Sequence, residues 1–397
     1  MGYRILYIVN FLNSQPQYNL SRFLLIQKNC EVHVLLLPSL QTVTNKFQYK
    51  ASYQKNNELV KIMDLSVKFS MPIKVQLTLH YFLNFLVGVI FIGKQRFKYD
   101  YGIGESNFGG FMIFILKKLR KVRKSIFMNG DVIIQNMTEI EGKKLGILEK
   151  IQFFLRRIAY KNDLIWYVSS KVQDYDKKVN LNSNRYIISP GLTVNTEDLL
   201  RNIKNPIKTY DIAYIGRLGK ETGIELLLEA VHLLKISRFD LQVVIIGGSE
   251  VKITEFKKKC LDLNISHMVQ FLGIVESRKI ALEYLGKSMF GYAMYEPTEI
   301  NPSKFTDNGK IVDYIQAGIP AIITKGFNSE KLEIKNENII EVEFNSQDLA
   351  SFLRNVANRS SVGTELYIEL INSVVSHGIS LDSNVIYEKL WTKITNI

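Results

Sequence analysis

The residues best suited to chemistry in this chain are Lys310 and Asp313, in the segment NGKIVDYIQAGIPAIIT (residues 308–324). Apolar side chains at helical spacing predict a short helix, which Gly318 ends before Pro320 turns the chain into a buried strand. Lys310 and Asp313 lie three residues apart and therefore share the first turn of that helix. A cation, a carboxylate and open backbone N–H groups at a helix N-terminus can bind phosphate and a sugar hydroxyl. A surface ion pair beside an ordinary helix–strand corner explains the same residues equally well.

The segment YIGRLGKETG (residues 214–223) carries a second basic candidate, Arg217. Glycines such as Gly216 let the backbone approach a ligand, and Arg217 follows the carboxyl end of a predicted strand, where bidentate contact with phosphate is geometrically simple. Lys310 follows the carboxyl end of another strand of the same predicted sheet. Two basic residues at such positions, both beside helix starts, predict a diphosphate site. The glycine pair that begins at Gly247 adds a backbone approach, although such a pair is also typical of any strand–helix turn.

The elements that must position these residues form two series of alternating strands and helices. In the first half, apolar runs predict strands at residues 5–9, 32–37, 101–103, 125–127 and 164–168. A second series begins at residue 211, with strands predicted at 212–215, 241–246, 269–272 and 290–294. This rhythm predicts an α/β fold of two tandem Rossmann-like, doubly wound domains that face a central cleft. The polar run 195–210 has the composition of a linker, which places the domains at residues 1–195 and 206–375.

Composition limits the classes of protein to consider. A chain of 397 residues exceeds the usual size of a single core, and two widely separated cysteines, Cys30 and Cys260, fit buried thiols in a reducing cytosol. The N-terminal strand does not have the pattern of a signal peptide. The most apolar segment, residues 79–92, is too short to span a membrane, since a spanning helix needs about 20 apolar residues; we interpret it as a core helix or an interfacial helix.

The net charge of +13 is concentrated in the first half of the chain. Residues 1–200 hold 28 Lys and Arg against 14 Asp and Glu, whereas residues 201–397 hold 23 against 24. The densest cluster is the run KKLRKVRK (residues 117–124), which we place on the end of one helix. A basic domain indicates an anionic partner, which can be a nucleic acid, a phospholipid surface or a pyrophosphate-linked substrate. A solvated helix end explains any single cluster as well.

Four blocks in the second half resemble the donor-binding domain of the GT-B fold glycosyltransferases, in particular the large retaining family four. They are Gly-Arg-Leu after a strand (residues 216–218), a leucine-rich helix (226–230), the turn Val-Gln-Phe-Leu-Gly (269–273) and Lys-Ile-Val-Asp-Tyr followed by Gly-Ile-Pro (310–320). The first half is similar to the family more weakly, at residues 162–169 and 187–191. In the family, a final helix crosses back onto the first domain, which implies the same for residues 380–397 and suits Trp391.

This resemblance implies transfer of a sugar from a nucleotide sugar, UDP- or GDP-linked, to an acceptor, with retained configuration and without an obligatory metal or resident cofactor. Arg217 would hold the donor diphosphate, and Asp313 takes the position of a glutamate that binds the nucleotide ribose. We predict Arg217, Lys310 and Glu299 as the catalytic residues. The residues that we expect to bind the donor are Gly216, Arg217, Lys220, Gly247, Gly273, Ile274, Lys310, Ile311 and Asp313.

The sequence departs from the family pattern at several site positions. Thr222 stands where the family often has a lysine, and Phe305 where many members have a first glutamate. In the acceptor loop of the first domain, Asn129 and Asp131 replace a histidine that members often carry. The nucleotide half of the site is therefore better supported than the half that handles the sugar.

Three functions are compatible with these observations. The first is a cytoplasmic glycosyltransferase that is peripheral on the inner face of the cell membrane. It would dock through its basic N-terminal domain on anionic lipid and use a saccharide or a lipid-linked acceptor in cell-surface polysaccharide or glycolipid synthesis. The second is an inactive GT-B partner or scaffold subunit, which the residues at Thr222 and Phe305 favour. The third, nucleic-acid binding, has little support, because the cluster at 117–124 lacks stacking aromatic side chains and no recognised module surrounds it.

Overall fold

The computed structural model describes residues 2–9, 15–37, 46–70, 73–130, 147–178, 181, 183–204, 207–219, 222–275, 277–297, 309–326, 339–359 and 365–396. The chain divides into two compact units. Unit 1 comprises Met1–Leu192 and Ser383–Ile397, and unit 2 comprises Thr193–Asp382. The α/β fold class that the sequence predicts is confirmed.

Unit 1 contains an eight-stranded sheet with helices between its strands. Its elements are β1 (Arg4–Val9), α1 (Gln15–Ile26), β2 (Glu31–Leu36), β3 (Lys46–Lys55), β4 (Glu58–Ser70), α2 (Ile73–Gly93), β5 (Tyr99–Glu105), α3 (Ser106–Lys118), β6 (Val122–Asn129), α4 (Ile147–Ala159), β7 (Leu164–Tyr167), α5 (Ser170–Lys178) and β8 (Tyr186–Ile188). The strand order is β4-β3-β2-β1-β5-β6-β7-β8. The run β2-β1-β5-β6-β7-β8 of this order contains only parallel pairings. The apolar side chains of these strands are buried in the core, as expected when helices cover a parallel sheet.

Two features of unit 1 differ from the sequence-based expectation. Strands β3 and β4 form an antiparallel hairpin that we did not predict; its turn residues Asn56 and Asn57 have φ of 49° and 67°. An Asn-Asn pair between polar–apolar alternations was the signal that could have revealed it. The basic run 117–124 does not lie on one helix, because α3 ends at Lys118, Arg120 turns with φ of 58°, and β6 begins at Val122.

Unit 2 contains a six-stranded sheet in which every pairing is parallel. Its elements are α6 (Thr196–Ile203), β9 (Tyr210–Ile215), α7 (Ile224–Ile236), β10 (Val243–Ile246), α8 (Glu250–Asp262), β11 (Val269–Gly273), α9 (Arg278–Gly286), β12 (Ser288–Ala293), α10 (Gly309–Ala317), β13 (Ala321–Thr324), β14 (Ile339–Val342), α11 (Ser346–Arg359) and α12 (Glu365–Ser380). The strand order is β11-β10-β9-β12-β13-β14, so successive strands are added on one side of β9 up to β11 and on its other side from β12 onward. In open parallel sheets, ligands bind beyond the carboxyl ends of strands at such a switch point.

The run 195–210, which we predicted to be a linker, contains helix α6 of unit 2. The Asn195 side chain accepts a hydrogen bond from the Asp198 N–H, and acidic residues occupy the first turn. The segment is polar, but its N-cap and its acidic first turn stabilise a helix, so part of the predicted linker is helical.

The last helix, α13 (Ser383–Thr395), belongs to unit 1. The Trp391 ring packs edge-on against the rings of Tyr3 and Tyr101, with centroids 5.8 and 5.3 Å apart. The Tyr387 hydroxyl donates to the Gly191 carbonyl oxygen at 3.2 Å. The C-terminal helix thus crosses back to the first unit, as predicted.

The most apolar segment is confirmed as a helix, α2, which packs partly on the core through buried residues such as Val87 and Ile92. Within the ranges that the structure describes, none of the helices combines the length and the apolar character needed to cross a bilayer.

Candidate functional site

The carboxyl ends of β9, β10 and β11 meet closely, and a glycine occupies each end. Gly216, Gly247 and Gly273 have φ of 139°, 103° and 70°, values that other residues rarely adopt. The Gly216 N–H donates to the Ile246 carbonyl oxygen at 2.9 Å, and the Gly247 N–H donates to the Gly273 carbonyl oxygen at 2.6 Å. A Cβ atom on Gly247 would collide with the Gly216 carbonyl oxygen. The three predicted glycines therefore form one edge, where the backbone is open to a ligand.

Lys310 lies at this edge, at the start of α10. Its Nζ atom donates to the Tyr214 hydroxyl at 3.1 Å and lies 4.2 Å from the Tyr214 ring centroid and 4.5 Å from that of Tyr295. Its Cε atom is 2.9 Å from the place that a Cβ atom on Gly216 would take. Two aromatic faces and a hydroxyl thus orient the ammonium over the end of β9.

Arg217 follows Gly216 and presents its side chain to solvent. The Tyr214 hydroxyl donates to the Arg217 carbonyl oxygen, so one tyrosine joins Lys310 to the backbone of Arg217. Within the described part of the chain, nothing forms an ion pair with the Arg217 guanidinium. Lys310 and the backbone of Arg217 thus lie together at the carboxyl end of β9, and the Arg217 side chain is exposed. That the two cations share one diphosphate stays a prediction.

Asp313, on the same helix as Lys310, contacts a different neighbour. Its carboxylate forms an ion pair with the guanidinium of Arg278, the first residue of α9, and each side chain is 14% exposed. Burial raises the pKa of the Asp313 carboxyl above its usual range, and the Arg278 guanidinium opposes this shift. The Nε atom of Arg278 is buried without a hydrogen-bond partner among the described residues, so the guanidinium keeps an unused donor.

Sequence reasoning missed three residues of this site: Arg278, Tyr214 and Tyr295. Arg278 begins α9 directly after the N-cap Ser277, shortly beyond the end of β11. A basic residue at a helix start that follows a strand was a sequence signal that could have identified it. Tyr295 is held at the end of β12 by Thr324, whose hydroxyl accepts from the Tyr295 N–H at 3.0 Å. Its aromatic contact with Lys310 spans elements that are distant in sequence, and no local pattern indicates it.

The other predicted donor-binding residues have different environments. Ile274 is 82% exposed just beyond Gly273, whereas the Ile311 side chain is 1% exposed and belongs to the core, which leaves only its backbone for a ligand. Lys220 and Glu299 lie outside the described residues, as do Phe305 and Asp131.

At the position where the family often has a lysine, Thr222 is buried. Its hydroxyl donates to the Gly219 carbonyl oxygen at 2.6 Å and closes the loop after Arg217. Thr222 therefore stabilises this loop through its hydrogen bond to Gly219.

In unit 1, Asn129 ends β6 but is 2% exposed. Its side-chain amide donates to the Asp176 carboxylate at 2.6 Å and to the Tyr160 hydroxyl at 3.1 Å. Asp176 also pairs with the buried guanidinium of Arg156. Asn129 is thus part of a buried polar network and does not replace the family's histidine as a surface group.

Comparisons with known proteins agree with this geometry. The family model described as glycosyl transferases group 1 matches residues 195–361, a range that contains Arg217, Arg278, Lys310 and Asp313. This part of the chain is a glycosyl transferases group 1 domain. The chain is therefore a glycosyltransferase. No curated protein sequence matches it.

Solved structures of similar fold cover the whole chain. A glycosyltransferase from Rickettsia africae is 15% identical, with a TM-score of 0.64 and coverage of 100% of this chain and 98% of that chain. HepE from Anabaena in complex with UDP and glucose is 12% identical, with a TM-score of 0.64 and full coverage of both chains. A trehalose-6-phosphate protein from E. coli bound with UDP-2-fluoro glucose is 11% identical, with a TM-score of 0.67 and 99% of each chain covered. At these identities the likeness shows the fold, which is GT-B with two Rossmann-like domains.

Among the residues that the structure describes, no group of three or more His, Cys, Asp and Glu side chains is placed to hold a metal ion. The expectation that the transfer needs no metal and no resident cofactor stays a prediction.

Proposed function

We propose that this glycosyltransferase takes its sugar from a nucleoside-diphosphate donor that binds at the carboxyl edge of β9, β10 and β11. The arrangement of Lys310 carries the proposal, because its ammonium lies over Gly216 beside the exposed Arg217. Two cations and the N-terminus of α10 suit a diphosphate, and the open glycine edge lets the backbone approach it. The similar HepE structure contains UDP and glucose, which favours a UDP-linked donor over a GDP-linked donor.

The same residues would stabilise the leaving group. As the bond between the sugar and the diphosphate breaks, negative charge develops on the diphosphate oxygens, and Arg217 and Lys310 are positioned to neutralise it. Tyr214 and Tyr295 hold the ammonium in place beforehand, so little reorganisation is needed during the reaction. Asp313, aligned by Arg278, would accept hydrogen bonds from the ribose hydroxyls.

The proposal includes three finer points. The transfer retains the anomeric configuration, as the resemblance to family four implies. The acceptor is a saccharide or a lipid-linked saccharide in cell-surface polysaccharide or glycolipid synthesis. The protein acts in the cytoplasm at the inner face of the membrane, where the basic excess of residues 1–200 favours an anionic lipid surface.

Calorimetric titration of the protein with UDP, GDP and their sugar conjugates tests donor binding. We expect Arg217→Ala and Lys310→Ala each to weaken the affinity for the preferred nucleotide about 10- to 100-fold, since a hydrogen bond to a charged group contributes roughly 1.5–3 kcal/mol. Lys257→Ala, which removes an exposed charge from α8, is the matched control and should leave the affinity unchanged. Equal affinities in all three variants would show that the donor binds elsewhere. Turnover of any sugar nucleotide would exclude the inactive-subunit alternative.

A further inference from the structure

Helix α2 exposes an apolar stripe on unit 1. Val75, Phe82, Phe85 and Ile90 are 50%, 56%, 36% and 51% exposed, and their spacing places them along one side of the helix. The opposite side packs on the core through Val87 and Ile92. Helix α2 therefore has two apolar sides, only one of which unit 1 buries.

The neighbouring helix α4 also exposes apolar side chains. It lies beside α2, because the Gln152 side-chain amide donates to the Tyr81 hydroxyl at 3.2 Å. Ile151 and Phe154 of α4 are 37% and 60% exposed. Helix α3 packs next to both helices: the rings of Phe111 and Phe85 are 6.4 Å apart, and a Cβ atom on Gly110 would lie 2.9 Å from the Ala159 Cβ atom. Helices α2, α3 and α4 are therefore neighbours. We call the exposed apolar side chains of α2 and α4 together the α2–α4 face and define it by Val75, Phe82, Phe85, Ile90, Ile151 and Phe154.

Cations surround the α2–α4 face. On α4, the exposed Lys150 and Arg157 flank Ile151 and Phe154, and the Arg157 guanidinium lies 4.7 Å from the Phe153 ring centroid. Lys118 on α3 is exposed and its Nζ atom lies 5.4 Å from the Phe114 ring centroid. Residues 65–99, which contain α2, include five Lys and Arg and no Asp or Glu. In α4, Lys150 and Arg157 are exposed, whereas the third basic residue, Arg156, is buried against Asp176 and takes no part in the face.

We propose that the α2–α4 face docks on an anionic lipid bilayer, with its aromatic and aliphatic side chains in the headgroup region and its lysine and arginine side chains on the lipid phosphates. An apolar helix stripe bordered by cations is the pattern of helices that lie in the plane of a membrane interface. A protein partner of matching chemistry would need an apolar surface bordered by acids, whereas an anionic bilayer has both properties everywhere. This inference rests on the proposed function, and it assigns α2 and α4 of the basic N-terminal domain as the surface that meets the membrane.

Vesicle flotation of the full-length protein, without a sugar nucleotide, tests the proposal. Vesicles of phosphatidylcholine alone are compared with vesicles of phosphatidylcholine and phosphatidylglycerol. We expect binding to the mixed vesicles, and we expect added salt to weaken it because surface charges are screened. Phe82→Ser/Phe154→Ser should weaken binding about tenfold or more, since two exposed rings would no longer enter the interface. Lys150→Gln/Arg157→Gln should weaken it by a similar factor, at roughly 1 kcal/mol per basic residue.

Matched controls come from α8 of unit 2. Val251→Ser/Leu261→Ser removes two side chains that are 74% and 68% exposed, and Lys257→Gln/Lys258→Gln removes two exposed charges. Both controls should bind vesicles like the natural protein. Equal binding by the face variants and the controls, or no preference for the anionic vesicles, would overturn the proposal. A self-associated protein that becomes monomeric in Phe82→Ser/Phe154→Ser, without vesicle binding, would assign the face to a second copy instead. UDP affinity is measured separately without vesicles, so failure of membrane docking and failure of donor binding are distinguishable.

Discussion

Among single residues, Lys310 and Asp313 have opposite kinds of environment although they share one helix turn. The Lys310 ammonium contacts two aromatic rings and a hydroxyl beside the end of β9. The Asp313 carboxylate is already neutralised by Arg278. Two residues that share one helix turn therefore have different neighbours: Lys310 lies at the glycine edge, and Asp313 is held against α9. The placement of a carboxylate for ribose depends on Arg278 as a positioning residue.

Substitutions in the Arg278–Asp313 pair should separate stability from donor binding. Arg278→Ala should lower the free energy of unfolding by about 3 kcal/mol, because it leaves a largely buried carboxylate without its partner. Arg278→Met/Asp313→Leu should restore most of that stability, since no unpaired charge remains, but should still bind the donor poorly. Urea denaturation and calorimetric titration measure the two effects. A double variant with natural donor affinity would contradict the ribose role of Asp313.

Among the elements, the strand ends of unit 2 determine the shape of the site. The backbone can come together at the ends of β9, β10 and β11 only because each end is a glycine with positive φ. Helix α10 starts at the same edge with Lys310 in its first turn, and Gly318 ends the helix in a left-handed conformation, with φ of 74°, before β13. The glycines are therefore as necessary to the site as the charged side chains.

Gly247→Ala tests this dependence against Gly326→Ala. Both glycines have positive φ, at 103° and 70°, but a Cβ atom on Gly326 meets nothing within 4 Å, whereas one on Gly247 meets the Gly216 carbonyl oxygen. Both variants should lose about 1 kcal/mol of stability from the backbone conformation. Gly247→Ala should lose about 2 kcal/mol more from the collision and should also weaken nucleotide binding. Thermal unfolding with and without UDP measures both. Equal losses in the two variants would mean that the close approach of the strand ends is unimportant.

In the whole molecule, unit 1 is built from two separate parts of the chain, since α13 follows unit 2 in sequence but belongs to unit 1. Tyr3, Tyr101 and Trp391 form an aromatic cluster that joins the residue before β1 to β5 and to the last helix. The stability of unit 1 therefore depends on residues at the far end of the sequence.

Trp391→Ala should destabilise unit 1 by about 3 kcal/mol, in the range for deleting a buried tryptophan side chain. Hydrogen exchange should quicken at the amides of β1 and β5, while the amides of β9 and β12 stay protected. Lys393→Ala, at an exposed position of the same helix, is the control and should change neither set. Faster exchange in β9 and β12 would show that the units do not unfold independently.

The amino-acid sequence was enough to predict the fold class, many of the strands, and the position of Lys310 near the carboxyl end of β9. These features depend on local periodicity and on the rule that parallel strands end at one edge, and both can be read along the chain. The partners of the Lys310 ammonium and of the Asp313 carboxylate became evident only from the packing of the folded chain. The contacts of Lys310 with Tyr214 and Tyr295, and of Asp313 with Arg278, join residues 15 to 96 positions apart. Local spacing carries no information about such contacts, because they depend on how separate helices and strands pack.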